Sequence, residues 1–226
     1  MKHEFKETAA LVAEPVRATI LWTLLDGKAY TATELASAAD TTASNISMHL
    51  TKLLNAGLVK VEAQGRHRYY GYAGKEVAYA IEALAALMPF AAKKTSPERE
   101  DVPAIRQART CYDHLAGKAG VTITEALIKQ KIIIAVNNDF ELSVKGKKWF
   151  LGLGIDADKL QQQRRSFVRP CLDWSERKHH LAGSLAAALL DKMLKEDWMR
   201  KSKNSRALII TAKGQKMLYE ILRVNV

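Results

Sequence analysis

The chain has 226 residues, 48% of them hydrophobic, and 35 Lys and Arg against 24 Asp and Glu give a formal net charge of +11. That length is room for one large or two modest globular domains, and no apolar run reaches membrane-spanning length. The two cysteines, Cys111 and Cys171, make no disulfide framework, and two thiols alone cannot enclose a four-ligand metal site.

The residues after Met1 turn acidic at Glu4 without a signal-peptide core, which predicts a cytoplasmic protein. Residues 1–103 hold 12 basic and 12 acidic side chains, whereas residues 104–226 hold 23 and 12, so the whole excess charge lies in the second half. A basic surface attracts polyanions at long range, although a lysine-rich solubilising face has the same composition.

In chain order, Leu11, Pro15, Ile20, Leu21, Leu24 and Leu25 supply one apolar helical face, and Asp26-Gly27 ends that helix. Thr31 or Thr33 is placed to cap a short helix, with Glu34 in its first turn. After the turn Asp40-Thr41-Thr42, a longer helix runs to Ala56 on Ile46, Leu50, Leu53 and Leu54, and Gly57 stops it. The period then changes to two through Leu58, Val59 and Val61 and again through Tyr69, Tyr70 and Tyr72, with Gln64-Gly65 as the hairpin turn. A last helix is predicted over residues 75–88, with Val77, Ala80, Ile81, Leu84 and Leu87 on one side. Helix, short helix, turn, long helix and hairpin, in that order, make a winged helix-turn-helix.

The long helix is predicted to expose Ser44, Asn45, Ser47, Met48, His49 and Lys52. Short hydrogen-bonding groups with one cation suit base edges and phosphates in a major groove, because a bulky charged face could not approach closely. The segment Thr41-Thr42-Ala43-Ser44 offers free backbone N–H groups to a phosphate, so Thr42 joins the set. Arg66, His67 and Arg68 follow the hairpin turn and form a cationic wing tip. Singly, each of these residues has a plainer reading as a solvated side chain; the order of elements gives the combination its weight.

Residues 14–73 resemble the ArsR-type repressors. The resemblance is carried by Glu14-Pro15-Val16-Arg17-Ala18-Thr19-Ile20-Leu21 and Thr33-Glu34-Leu35-Ala36. More specific are Ser44-Asn45-Ile46-Ser47-Met48-His49-Leu50-Thr51-Lys52-Leu53-Leu54-Asn55-Ala56-Gly57-Leu58-Val59 and Gly65-Arg66-His67-Arg68-Tyr69-Tyr70. It implies a homodimer that binds a palindromic double-stranded DNA operator and releases it when an effector binds. It also implies that residues 44–52 are the recognition helix, and that the first helix (about residues 5–11) and the last (75–88) form the dimer contact. Leu11, Leu84 and Leu87 are the chosen dimer residues. The family's metal-binding cysteines are missing from the helix that begins Glu34-Leu35-Ala36, and the last helix has Glu76, Tyr79 and Glu82 but no histidine. No metal site and no cofactor are therefore assigned.

Residues 91–103 carry two prolines and no apolar period and read as a linker between a winged-helix domain (1–90) and a C-terminal domain (104–226). The second domain repeats itself. Arg109-Thr110-Cys111-Tyr112-Asp113 matches Arg169-Pro170-Cys171-Leu172-Asp173, His114-Leu115-Ala116-Gly117 matches His180-Leu181-Ala182-Gly183, and Leu142-Ser143-Val144-Lys145-Gly146 matches Ile210-Thr211-Ala212-Lys213-Gly214. The copies span about residues 106–155 and 166–226, each read as helix, hairpin, helix with Ser143 or Thr211 capping the last helix. The fold class is thus mainly α with small β-hairpins: an N-terminal winged helix-turn-helix plus an α+β C-terminal domain built on a helix-hairpin-helix repeat.

Cys111, Asp113, His114, Cys171, Asp173 and His180 would converge if the halves pack with twofold pseudo-symmetry, and they are the candidate effector site for a metal, an oxidant or a small molecule. Buried structural cysteines with Asp113 and Asp173 capping helices or pairing with Arg109 and Arg169 are the plainer reading. Trp149, Phe150, Phe167 and Trp174 would partly line a small-molecule pocket between the halves, and the basic groups around Arg164, Arg165, Lys178, Lys195 and Arg200 would give a second DNA contact or equally bind an anionic effector. There is no phosphate loop, metal-hydrolase histidine pair or nucleophile elbow, so an enzyme is not expected. The expectation is a sequence-specific transcriptional regulator, a repressor released by an effector, with no membrane partner. The alternative is a non-specific architectural nucleic-acid-binding or protein-interaction module.

Overall fold

The computed structural model describes residues 2–87, 104–137, 139–203 and 205–226, which fall into two compact units, Met1–Ala85 and Ala86–Val226. The expected linker, residues 91–103, and Met88 of the predicted last helix lie outside the described residues. Among the described residues no single helix is long and apolar enough to cross a membrane.

In the first unit the opening helical run is two helices, α1 (Lys2–Ala13) and α2 (Pro15–Thr23). Pro15 has no amide to donate into a continuing helix, so it starts a new one at its first position, where the missing N–H costs nothing. Glu14 caps α2 by accepting the Arg17 amide at 3.0 Å. A 3₁₀ turn (Leu24–Asp26) and a short strand β1 (Tyr30–Thr31) lead to α3 (Ala32–Ala38). Thr31, of the two candidates, caps α3, in a reciprocal capping box with Glu34. Thr42 then caps α4 (Ala43–Asn55), and Gly57 turns the chain into β2 (Val59–Gln64) and β3 (His67–Tyr72). These strands pair antiparallel in the order β1-β3-β2, and α5 (Lys75–Ala86) closes the unit. Its core is Ile20, Leu21, Leu24, Leu25, Leu35, Ile46, Leu50, Leu53 and Ile81, with Val59 from β2. The Tyr72 hydroxyl donates to the Leu21 carbonyl and ties the wing to α2.

The second unit opens with α6 (Ala104–Gln107). Its first half is the hairpin β4 (Arg109–Cys111) and β5 (His114–Ala116), α7 (Gly117–Lys129), the hairpin β6 (Ile133–Val136) and β7 (Asp139–Leu142), and α8 (Val144–Gly152). After α9 (Ala157–Gln161) the second half has the same order: β8 (Arg169–Leu172) and β9 (His179–Ala182), α10 (Ser184–Lys195), β10 (Met199–Lys201) and β11 (Leu208–Ile210), and α11 (Ala212–Leu222). The predicted helix-hairpin-helix copy therefore gains a leading hairpin, whose strands of three or four residues are too short to register a period. The halves share one core. Leu115, Ile123, Leu127 and Phe150 from the first meet Leu181, Leu185, Leu189 and Met193 from the second. The packing is reciprocal, with β9 on α7 and β5 on α10.

The repeat extends to backbone detail. The Ser143 hydroxyl accepts the Gly146 amide at 2.8 Å, and the Thr211 hydroxyl accepts the Gly214 amide at 3.0 Å. Each hydroxyl also donates back to the preceding turn, Ser143 to Lys131 O and Thr211 to Asp197 O, both at 2.7 Å. The helices so anchored press their third residue onto that turn. A Cβ at Gly146 would stand 2.1 Å from the Ile132 carbonyl oxygen, and one at Gly214 2.0 Å from that of Trp198. Alanine for glycine in an open helix stabilises by about 1 kcal/mol, whereas forcing extra volume against packed backbone costs about 1–3 kcal/mol. Gly214→Ala is accordingly expected to lower the denaturant midpoint of the second unit; a higher midpoint would show that α11 does not lie this close to the turn.

Candidate nucleic-acid interface and cysteine–histidine centre

On α4, the helical period sends Ile46, Leu50 and Leu53 into the core and leaves Thr42, Ser44, Ser47, Met48 and Lys52 exposed. Asn45 is half-buried; its amide nitrogen donates to the Thr41 hydroxyl at 2.7 Å, which fixes its orientation. The Ser47 hydroxyl donates to the Ala43 carbonyl at 2.8 Å and keeps acceptor capacity. On the wing, the two-residue turn between the paired Gln64 and His67 is Gly65-Arg66, with Gly65 at φ +59°. Arg66 therefore sits in the turn itself, one residue earlier than the sequence reading has it, and Arg66, His67 and Arg68 are all exposed.

His49 does not belong to this surface. It is 6% exposed, with Nδ1 3.1 Å from Glu14 Oε2 and 3.5 Å from Arg17 Nη1. Its place in the helical period lies on the edge of the buried side, where a polar partner rather than solvent receives it. Arg17 and Glu14, which sequence reasoning missed, hold it there. The buried Arg17 guanidinium donates to the Leu11 carbonyl at 2.5 Å and the Ala10 carbonyl at 3.2 Å, satisfying the end of α1, and pairs with Glu14 at 3.5 Å. Burial would raise the Glu14 carboxyl, but the backbone amides of Arg17 and Val16 and the charges of His49 and Arg17 bring it below its ordinary value. One polar cluster thus links α4 to the α1–α2 elbow.

Of the chosen dimer residues, Leu84 is 50% exposed and Leu87 is 79% exposed, while Leu11 is half-buried against the unit's own core.

In the second unit the six candidate effector residues come together, and the register explains how. Cys111 faces His114 across β4–β5, and Cys171 faces His180 across β8–β9, so each hairpin delivers one thiol and one imidazole. One donor atom from each of the four lies within 4.8 Å of the other three, and the two Nε2 atoms are 3.2 Å apart. The cysteines are half-buried thiols not joined in a disulfide, and both histidines are buried. Two thiols alone do not make a four-ligand set, but here two histidines stand beside them, and the four side chains together could hold a metal ion. The Cys171 thiol is held well below its ordinary value, first by its hydrogen bond with Cys111, against burial, and then by His114 and His180.

Asp173, 0% exposed, organises this centre. Its Oδ1 accepts from Arg109 Nη2 at 3.0 Å, from the Ser175 amide at 2.9 Å and hydroxyl at 2.8 Å, and from the Glu176 amide at 3.1 Å. Its Oδ2 accepts from the Gly117 amide at 2.7 Å and lies 3.1 Å from His180 Nδ1. Burial would raise its carboxyl, but His180, Arg109 and the Gly117 amide outweigh burial and hold it far below the carboxylate range. The repeat-equivalent Asp113 is half-exposed, pairs with Arg165 at 2.6 Å and lies 3.5 Å from His114 Nδ1. The repeat therefore keeps the carboxylate–imidazole contact on both sides and buries one side more deeply. Arg109, also 0% exposed and 4.6 Å over the Trp174 ring, is the functional residue that sequence reading named only as a pairing option; its recurrence as Arg169 was the available signal.

The aromatics named for a small-molecule pocket pack within the unit itself, Trp149 and Phe167 partly buried against its core. Phe150 is wholly buried in the core and Trp174 stacks on Arg109. A small cavity of about 20 Å³ beside Leu115, Ile123 and Leu189 has room for a water at most. A larger open cleft, about 460 Å³, is lined by Tyr112, Asp113, Asp191, Lys201 and Arg206 instead. Much of the basic run is locally neutralised: Arg165 pairs with Asp113, Lys178 with Glu125, Lys195 with Asp191 and Arg200 with Asp197.

A helix-turn-helix domain family model matches residues 12–62. Over 226 residues, 100% of each chain, the sequence is 40% identical to a Bacillus subtilis (strain 168) protein named uncharacterized HTH-type transcriptional regulator YdfF. It is 40% identical over 73 residues to the HTH-type transcriptional regulator CmtR of Mycobacterium tuberculosis (strain ATCC 25618 / H37Rv), a match covering 32% of this chain and 61% of that one. Among solved structures, HlyU from Vibrio cholerae N16961 is similar over 38% of this chain and 92% of its own, at 29% identity and a TM-score of 0.36.

Arg109→Met leaves the Asp173 charge buried without its guanidinium and is expected to cost about 3–5 kcal/mol in urea unfolding of the second unit. Arg165→Met, at a solvent-exposed pair, is expected to cost less than about 1 kcal/mol. Equal effects would show that Asp173 is not the anchor.

Proposed function

The chain belongs to the DNA-binding helix-turn-helix transcriptional regulators, with an ArsR-type winged head, and we propose that it is a homodimeric repressor that holds a palindromic operator until an effector engages its C-terminal unit. The observation that carries this reading is the composition of the exposed side of α4. Thr42, Ser44, Ser47, Met48 and Lys52 are small, polar or soft, with a single cation, and the core takes every large aliphatic residue of the helix. Short hydroxyls reach base edges, a methionine packs on a thymine methyl, and a helix N-terminus with Lys52 receives phosphates. The exposed Arg66, His67 and Arg68 supply the wing's cations. Exposed Leu84 and Leu87 on and just after α5 support a second copy of the chain as the partner that covers them. A dimer sets its two recognition helices about one helical turn, 34–36 Å, apart, which matches successive major grooves. An effector releases the operator only if it binds the released state more tightly than the DNA-bound state.

Selection of bound sequences from a random duplex pool by the full-length protein is expected to enrich a palindrome whose half-sites are about 10 base pairs apart. Salt-sensitive binding with no enriched sequence would instead establish the architectural module. On the selected duplex, Lys52→Ala is expected to weaken binding to all sequences alike and to reduce the salt slope by about 1, whereas Ser47→Ala relaxes preference at particular bases. Leu84→Asp with Leu87→Asp is expected to yield a folded monomer in sedimentation and to weaken operator binding; an unchanged dimer would exclude this face as the contact.

A further inference from the structure

We propose that Cys111, His114, Cys171 and His180 form one closed tetrahedral site for a zinc ion, which clips the two halves of the C-terminal unit together. The site is independent of the operator reading. It rests on geometry, proton placement, charge balance and topology.

In a tetrahedral zinc site with bonds of 2.0–2.3 Å, the ligand atoms stand about 3.3–3.8 Å from one another. Here the four donor atoms lie within 4.8 Å of each other, and the two imidazole Nε2 atoms are at 3.2 Å. Soft thiolates with imidazoles select zinc over magnesium or calcium, and four protein donors leave no open position for a catalytic water.

Proton placement points the same way. Each Nδ1 faces a carboxylate: His180 toward Asp173 at 3.1 Å and His114 toward Asp113 at 3.5 Å. A carboxylate can only accept, so a neutral ring turned toward one is favoured with its proton on Nδ1. Both Nε2 atoms then present bare lone pairs to each other at 3.2 Å. Two acceptors at that distance repel unless a cation lies between them. Carboxylate–imidazole–metal is also the usual outer arrangement of zinc histidines, the carboxylate fixing ring orientation and raising ligand basicity. Asp173 is itself locked by Arg109 and the amides of Gly117, Ser175 and Glu176.

The charges close. With both sulfurs as thiolates, any remaining thiol proton leaving to solvent, Zn²⁺ and its two thiolates are together neutral. Asp173 with Arg109, and Asp113 with Arg165, are neutral pairs at 3.0 Å and 2.6 Å. A buried cluster of this many ionisable groups is tolerable only with such balance. Topologically, the ion joins two hairpins about 60 residues apart in sequence, each contributing one cross-strand Cys–His pair.

The test uses the full-length chain. Purified protein is expected to carry one zinc per chain by elemental analysis. Replacement by cobalt is expected to give the intense visible bands of a tetrahedral ion with a thiolate-to-metal charge-transfer band. Removing the metal with a chelator is expected to lower Tm. Cys111→Ser and His180→Gln are each expected to abolish the charge-transfer spectrum or reduce its intensity markedly. Because these two variants alter groups inside the packed centre, Asp113→Asn at the half-exposed partner serves as the folded probe, with zinc affinity expected to drop about 10–100-fold in a competition assay. Folded protein that takes up neither zinc nor cobalt while both thiols react with a thiol reagent would overturn the proposal in favour of a shared proton between the histidines. A Cys111–Cys171 disulfide in the native protein would overturn it as well.

Discussion

A single carboxylate, Asp173, fixes the C-terminal unit. It is fully buried, and its partners come both from its own turn and from the other half of the unit. Arg109 reaches it from β4 and the Gly117 amide from the start of α7, both in the first half; Ser175, Glu176 and His180 reach it from the second. An ion of this kind taken out of water costs several kcal/mol unless its lone pairs are filled. The halves can therefore come apart only by exposing an unpaired charge on each side. The shared aliphatic core supplies the bulk of the attraction, but it is non-directional. The Asp173 contacts set the register at which Cys111, His114, Cys171 and His180 meet.

The winged head uses the same device at smaller scale. Arg17 closes the carbonyl end of α1, pairs with Glu14 and, through Glu14, receives His49 from α4. The helix whose exposed face bears Ser44, Ser47 and Lys52 is thus positioned by aliphatic packing on one side and by a buried polar cluster at its edge. A reading helix has to be held rigidly if hydroxyl-to-base distances are to discriminate sequences, since a short side chain cannot compensate for a displaced backbone.

Much of the head was legible because its elements are long enough to show a period. Ile46, Leu50 and Leu53 define the buried side of α4 in sequence as they do in space, and Tyr70 and Tyr72 of β3, two residues apart, both pack on the core. What escaped was local or long-range. Pro15 breaks the first helix although its neighbours keep the apolar period, since the missing amide outweighs the pattern. His49 counts as exposed polar from its residue type, and only the fold reveals Glu14 and Arg17 beside it. In the second unit the sequence matches located the repeat, including the caps Ser143 and Thr211, yet the leading hairpins were invisible because three-residue strands carry no period. The convergence of one Cys–His pair from each copy was conceivable from their shared offset. The 3.2 Å approach of the two imidazoles, and the carboxylate behind each, is tertiary information.

The central claim is that the small polar face of α4 reads base edges as part of a dimer. The most direct measurement is a structure of the full-length protein on a selected duplex at a resolution that places side chains. The account predicts two copies with α4 in successive major grooves, Ser44 and Ser47 facing base edges within hydrogen-bond reach, and Arg66 or Arg68 at the backbone or minor groove. A complex in which α4 touches phosphates alone, or in which DNA lies on another surface, would contradict it.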